Sequence, residues 1–207
     1  MTEIAARKSA TQIWVILAIT ASVLFGAFLI VPRNEEQRQS LLNILGTSNK
    51  GILLQPAAAL TSLDLKSEDG RPWQFGAQKP RWRLLIPVVD GCAEACRDAL
   101  YLTRQVHVRL EKNAHRLERI LLNLGPALNA DTLTFLKKEH PHLAVLSADQ
   151  SAFQATLAST NGVWNPAVNY TYVVDQAGVA MLYFTPEHSG GDMLADLRHL
   201  MKYSPEP

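Results

Sequence analysis

The sequence predicts an α/β domain, a mixed central sheet flanked by helices, behind an N-terminal transmembrane helix. Three observations predict it. Ser9 to Pro32 carries no charge; short apolar runs alternate with amphipathic stretches after residue 60; and two apolar strands joined by a polar turn come last, followed by one more amphipathic stretch.

Ile13–Val31 is apolar apart from Thr20, Ser22 and Gly26. A bilayer core of about 30 Å needs roughly 20 such residues in a helix. A cleaved signal peptide would have a shorter apolar region ending in a small-x-small site, whereas this run ends in Phe28-Leu29-Ile30-Val31 before Pro32-Arg33. The expectation is an uncleaved anchor over 13–32. Arg7 and Lys8 precede it, and Arg33 and Arg38 behind it are offset by Glu35 and Glu36. That bias places residues 1–12 in the cytoplasm and the rest across a bacterial inner membrane, in the periplasm.

Residues 33–60 read as a tether, broken at Gly46-Thr47-Ser48-Asn49-Lys50-Gly51, and 61–207 as the folded domain. Leu63-Asp64-Leu65, the turn Glu68-Asp69-Gly70-Arg71-Pro72 and Trp73-Gln74-Phe75 form a short hairpin. Arg83–Val89 is a continuous apolar run suited to a central strand. Ala95, Ala99, Leu102, Val106 and Leu110 then recur at helical spacing. Leu117–Leu124 is a second strand. Asn129 or Asp131 caps a helix with Leu133 and Leu136 inward, which Pro141 ends. Leu143–Leu146 is a third strand and Ser151–Ala158 a short helix. Tyr170–Val174, Asp175-Gln176-Ala177-Gly178 and Val179–Phe184 make a hairpin. A final helix after Gly190-Gly191-Asp192 turns Leu194, Leu197 and Leu200 or Met201 inward. This order implies a mostly parallel sheet closed by an antiparallel hairpin, the pattern of a thioredoxin-like domain.

The chain has 207 residues, a net charge of +1 and 19% charged residues, so no basic face argues for nucleic acid. Its only two cysteines, Cys92 and Cys96, stand where the Arg83–Val89 strand runs into the following helix. Two cysteines are too few for a disulfide framework. Four residues apart at a helix start, they can close a disulfide, attack a partner's disulfide or hold a soft ion such as copper(I). The helix N-terminus favours thiolate, while Asp90 and Glu94 oppose it. The expectation is a pair open to solvent, with Cys92 the more exposed, attacking thiol and Cys96 the resolving one. Inert thiols and a purely structural bridge are the competing readings.

The chain resembles the Sco/SenC family, membrane-anchored thioredoxin-fold proteins associated with copper delivery to cytochrome c oxidase. The segments that carry the likeness are Asp69-Gly70-Arg71-Pro72-Trp73, Trp82-Arg83-Leu84-Leu85, Cys92-x-x-x-Cys96, Tyr172-Val173-Val174-Asp175-Gln176-Ala177-Gly178 and Leu194-Ala195-Asp196-Leu197-Arg198-His199-Leu200. The resemblance implies that Cys92 and Cys96 are both the redox pair and the metal ligands. It also implies a partner that is a respiratory oxidase subunit or another copper-site client. Two departures stand out. The family's third ligand, a histidine about eight residues before the aspartate matching Asp175, falls at Ala167; and Arg97 replaces the proline after the second cysteine. His188 is the one histidine placed to substitute; His107 and His115 lie too far along the helix, and His140, His142 and His199 read as surface or helix-end residues. Asn165-Pro166 reads as an ordinary loop proline, and Trp73, Trp82 and Trp164 as packing residues.

Three function classes follow: an oxidase-assembly factor acting as copper(I) chaperone or thiol reductant, a general thiol–disulfide oxidoreductase, and a non-catalytic anchored module whose site has decayed.

Overall fold

The computed structural model describes residues 2–31 and 49–204. The chain divides into two compact units, 1–48 and 49–207. The first contains α1 (Thr2–Ile30). Its described side chains, 14–28, are apolar and almost all exposed. The only hydroxyls among them fold back onto the helix, Thr20 Oγ1 onto the Ile16 carbonyl at 2.9 Å and Ser22 Oγ onto that of Ile19 at 2.8 Å. Among the described residues no helix is long and apolar enough to cross a membrane. The expected span, 13–32, runs beyond the described side chains on both sides.

Of the expected tether, residues 33–48 lie outside the described residues. Its end is not a tether. Ile52–Ala59 is β1, an edge strand antiparallel to β8 (Val179–Phe184). Leu54 and Ala58 are buried on it, and Pro56 is tolerated because an edge strand needs only one hydrogen-bonded side. The remaining strands are β2 (Leu65–Ser67), β3 (Pro72–Trp73), β4 (Trp82–Val88), β5 (Leu117–Asn123), β6 (Leu143–Ser147) and β7 (Thr171–Val174). The sheet order is β1-β8-β7-β4-β5-β6-β2-β3.

Only β4–β5 and β5–β6 are parallel. The sheet is mixed, as expected, but less of it is parallel than the alternation of strands and helices implies, because antiparallel strands flank the parallel centre on both sides. β4 is buried along its whole length, as a central strand covered on both faces must be.

The helices of this unit are α2 (Glu94–Arg109), α3 (Ala130–Glu139), α4 (Gln150–Ala158) and α5 (Gly190–Tyr203). The strand pleat sorts them. Trp82, Leu84, Ile86 and Val88 alternate towards α2, α3 and α5, while Leu85 points to the opposite core with Phe153 and Leu157 of α4. Asn129 caps α3 by accepting the Thr132 N–H at 2.8 Å, and Ser189 opens α5 in a capping box with Asp192. Arg83 lies buried in the middle of this apolar fold. It donates to Glu118 at 3.0 Å, its register partner on β5, and stacks on Trp73 and Phe75.

Candidate redox and metal site

β4 leaves the sheet at Val88, and Gly91, at φ 73°, turns the chain back into α2. That left-handed conformation suits glycine. Cys92 precedes the helix and Cys96 sits in its first turn; the two form a disulfide with Cα atoms 5.1 Å apart. Ala93 at the N-cap offers no side-chain acceptor, so no side chain at that position competes for the first-turn N–H groups.

The pair is not open to solvent. Cys92 is 6% and Cys96 2% exposed, within an apolar cluster of Ile86, Val88, Leu100, Leu121 and Leu136. The sequence stripe holds at Val106 and Leu110 but runs one position early before them. The sheet-facing residues of α2 are Cys96, Leu100, Thr103 and Val106, and Ala95 is exposed. The expected difference in exposure shrinks to a small one, with Cys92 nearer the surface.

α3 packs on the same apolar cluster as the disulfide. Leu136 is buried in it, and Phe135 and Leu128 pack against it. The Arg97 guanidinium lies 4.8 Å from the Phe135 ring centroid, and His140 meets that ring edge-on at 5.7 Å. His140 is a helix-end residue, as expected, standing at the C-cap of α3, but it is buried: it is 5% exposed and continues the Leu133–Leu136 stripe by one more turn. That spacing was the available signal. Its Nδ1, like the Nε of buried Arg119, has no hydrogen-bond partner among the described residues. Burial pushes the His140 pKa down, and the charges of Arg119 and Arg104 add to the effect. Burial likewise pushes Arg119 down to about 10.

A third metal donor is not supplied. At the family's histidine position, Ala167 sits in a turn where its N–H donates to Asn165 Oδ1 at 2.9 Å. His188 Nδ1 accepts the Thr185 N–H at 3.1 Å, so that nitrogen is already used. Among the described residues no group of three or more His, Cys, Asp or Glu side chains could hold a metal. Reduced, the pair offers two soft thiolates, a donor set for copper(I) and not for copper(II). Asn165–Pro166 is not a cis bond; the one found is Gln55–Pro56. The three tryptophans pack, Trp82 with its Nε1 on Ser204 Oγ at 3.0 Å, Trp73 on Phe75 and Trp164 on Phe153.

The family model described as transmembrane-like, thioredoxin-like, C-terminal domain matches residues 82–204. The chain belongs to that family. The matched segment begins at β4 and ends after α5, so it contains the cysteine pair, α3 and the closing hairpin. Sco proteins are its structural neighbours. Sco1 of Thermus thermophilus in its apo form is 20% identical, with a TM-score of 0.54 over 75% of this chain and 99% of that chain. Yeast Sco1 with copper bound is 13% identical, with a TM-score of 0.55 over 77% and 97%. Arabidopsis thaliana ScoI with copper bound is 12% identical, with a TM-score of 0.52 over 76% and 100%. At these identities the likeness is one of fold. No curated protein matches the chain.

Proposed function

We propose that this chain is a membrane-anchored, Sco-like accessory protein of respiratory oxidase assembly, and that Cys92 and Cys96 act as a thiol reductant of a copper-site client. The observation that carries the reading is the disulfide at the start of α2, closed across a Cα separation of 5.1 Å. Exchange needs two sulfurs and no third donor, which is what the site supplies.

Starting from the dithiol, the Cys92 thiolate attacks one sulfur of the client's disulfide and expels a client thiolate. The Cys96 thiolate then attacks Cys92 Sγ in the mixed disulfide, breaking the intermolecular bond and expelling the second client thiolate. The two protons from Cys92 and Cys96 end on the client thiols; the client gains two electrons and this chain closes to the disulfide. α2 assists by stabilising thiolate at its N-terminus. Copper(I) as cargo would use the same two thiolates in a linear site.

The anchor reading rests on the uncharged run Ser9–Pro32 and on hydroxyls that satisfy themselves within α1, as an apolar medium requires. With Arg7 and Lys8 on the cytoplasmic side, the domain lies in the periplasm, where a thiol pair meets oxidants. Phosphatase fusions after residue 49 should be active and fusions before residue 13 inactive.

Cys96→Ser should trap a mixed disulfide with an oxidase copper-site subunit, and Cys92→Ser should trap none. Anaerobic titration should show copper(I) binding weakened by either substitution. Failure of both trapping and binding rejects the proposal. Burial of the pair favours one other reading, a structural clasp in a decayed site. A reduction potential below about −300 mV would select that clasp.

A further inference from the structure

A disulfide buried at 6% and 2% cannot be reached along its S–S axis by a client sulfur unless its cover moves. α3 and the loop before it share the disulfide's apolar cluster through Leu136, Phe135 and Leu128, and α3 is loosely seated. Of its ten residues only Leu136 is buried among the described side chains. Beside its first half an open pocket of about 160 Å³ separates Leu133 of α3 from Asn123, Val145 and the Ser67–Glu68 edge of the sheet. Its polar ties elsewhere are an exposed ion pair, Lys137 to Glu68 at 2.6 Å, and a hydrogen bond from Arg104 to the Glu139 carbonyl at 2.9 Å. Beyond its last turn, buried His140 leaves Nδ1 without a partner among the described residues.

The entry loop, by contrast, is fixed. A Cβ on Gly125 would collide with the Val89 carbonyl, and Asn123 Nδ2 donates to the Pro126 carbonyl at 2.8 Å. A helix with one buried side chain, an open pocket along its first half and a rigid hinge at one end can lift as a unit.

We propose that α3 is the gate of the disulfide, with Phe135 and Leu136 as its plug, and that the client is a cysteine segment flanked by bulky apolar residues that takes the plug's place. The face uncovered by lifting α3 carries Ile86, Val88, Leu100 and Leu121 around the two sulfurs. Arg97, Arg104 and Arg119 near it repel a basic segment, and Asp90 and Glu94 beside the thiols repel an acidic one. The partner chemistry rests on the exchange reading above; the gate does not.

The full chain in detergent, with its disulfide formed, is reduced by a water-soluble phosphine. Leu136→Ala and Phe135→Ala should speed reduction at least about tenfold, since truncation removes the plug. Leu157→Ala, an equally buried truncation on the opposite face of the sheet, should leave the rate unchanged. Wild-type rates in the two α3 variants, or equal acceleration by Leu157→Ala, overturn the gate. The reduced chain is then offered two peptide mixed disulfides, one with leucine and phenylalanine beside the cysteine and one with glutamates. At least about tenfold faster exchange with the apolar peptide supports the partner chemistry; equal rates overturn it. An oxidase that assembles normally in a Cys92→Ser strain would count against the proposed function alone, because the phosphine rates do not depend on it.

Discussion

α5 and α3 cover the same face of the sheet and are held to it in unlike ways. α5 buries Met193, Leu194, Asp196, Leu197 and Met201, begins in a capping box, and grips the start of the domain. Its Asp196 carboxylate, 3% exposed, accepts the Lys50 N–H at 3.0 Å and the Gly51 N–H at 2.8 Å. α3 buries Leu136 and relies on side chains at its rim. Apolar area removed from water sets how firmly a helix is seated, so one face of one sheet carries both a fixed wall and a movable cover. The functional pair lies under the cover.

The largest test of that contrast is Leu197→Ala. A fully buried leucine costs about 3–5 kcal/mol on truncation, and here the loss should be global, seen as a lower urea midpoint and faster hydrogen exchange across β4 and β7. Leu136→Ala should cost nearer 2 kcal/mol and raise exchange mainly over residues 130–140. Equal global losses from the two would erase the distinction.

Asp196→Ala comes next. It strands the Lys50 and Gly51 amides where β1 begins, and a buried donor without its acceptor costs about 1–3 kcal/mol. The expected outcome is a lower melting temperature, with β1 losing exchange protection first.

These two helices also show how far the sequence could be read. The parallel centre was legible because Leu84–Val89 is an unbroken apolar run and Leu117–Leu124 keeps an apolar centre at Ile120, Leu121 and Leu122, and the β7–β8 hairpin because Asp175–Gly178 has turn chemistry. The site's place in the fold was legible too, since Gly91 and the cysteines mark the strand-to-helix junction. Burial of the pair was not. It depends on Leu136, forty residues beyond Cys96, and on a one-residue offset of the first half of α2 that small alanines at 95 and 99 conceal. β1 escaped because proline and three alanines carry no strand signal; only pairing with β8 makes Ile52–Ala59 a strand. Buried Arg119 was invisible for the same reason, because an isolated polar residue looks solvated until the elements around it are assembled; His140 had only its spacing from Leu133 and Leu136 to mark it.

A smaller effect follows from pH. Burial lowers the pKa of His140, with Arg119 on β5 and Arg104 on α2 adding to it and Glu139 opposing. Burial also lowers His107, with Arg119, His142 and Arg81 adding and the Ala114 carbonyl opposing. Each imidazole binds its proton more readily unfolded than folded. Stability is therefore full above the unfolded value of about 6.5 and declines as pH falls through it. Urea midpoints between pH 7.5 and pH 5 should fall, and His140→Gln should flatten part of that slope. If α3 is the weaker cover, the wild-type loss should appear first in exchange over residues 130–140.

The smallest expected effect belongs to Lys137 and Glu68. Both side chains are well exposed, 66% and 41%, so water and salt screen the pair and its ordering entropy offsets most of the attraction. Lys137→Ala should shift stability by no more than about 0.5 kcal/mol. It should also leave the phosphine reduction rate near wild type, because the plug is apolar and sits on the other side of α3. A large acceleration by Lys137→Ala would instead make the cover electrostatic, latched from the rim by an ion pair that salt should also release.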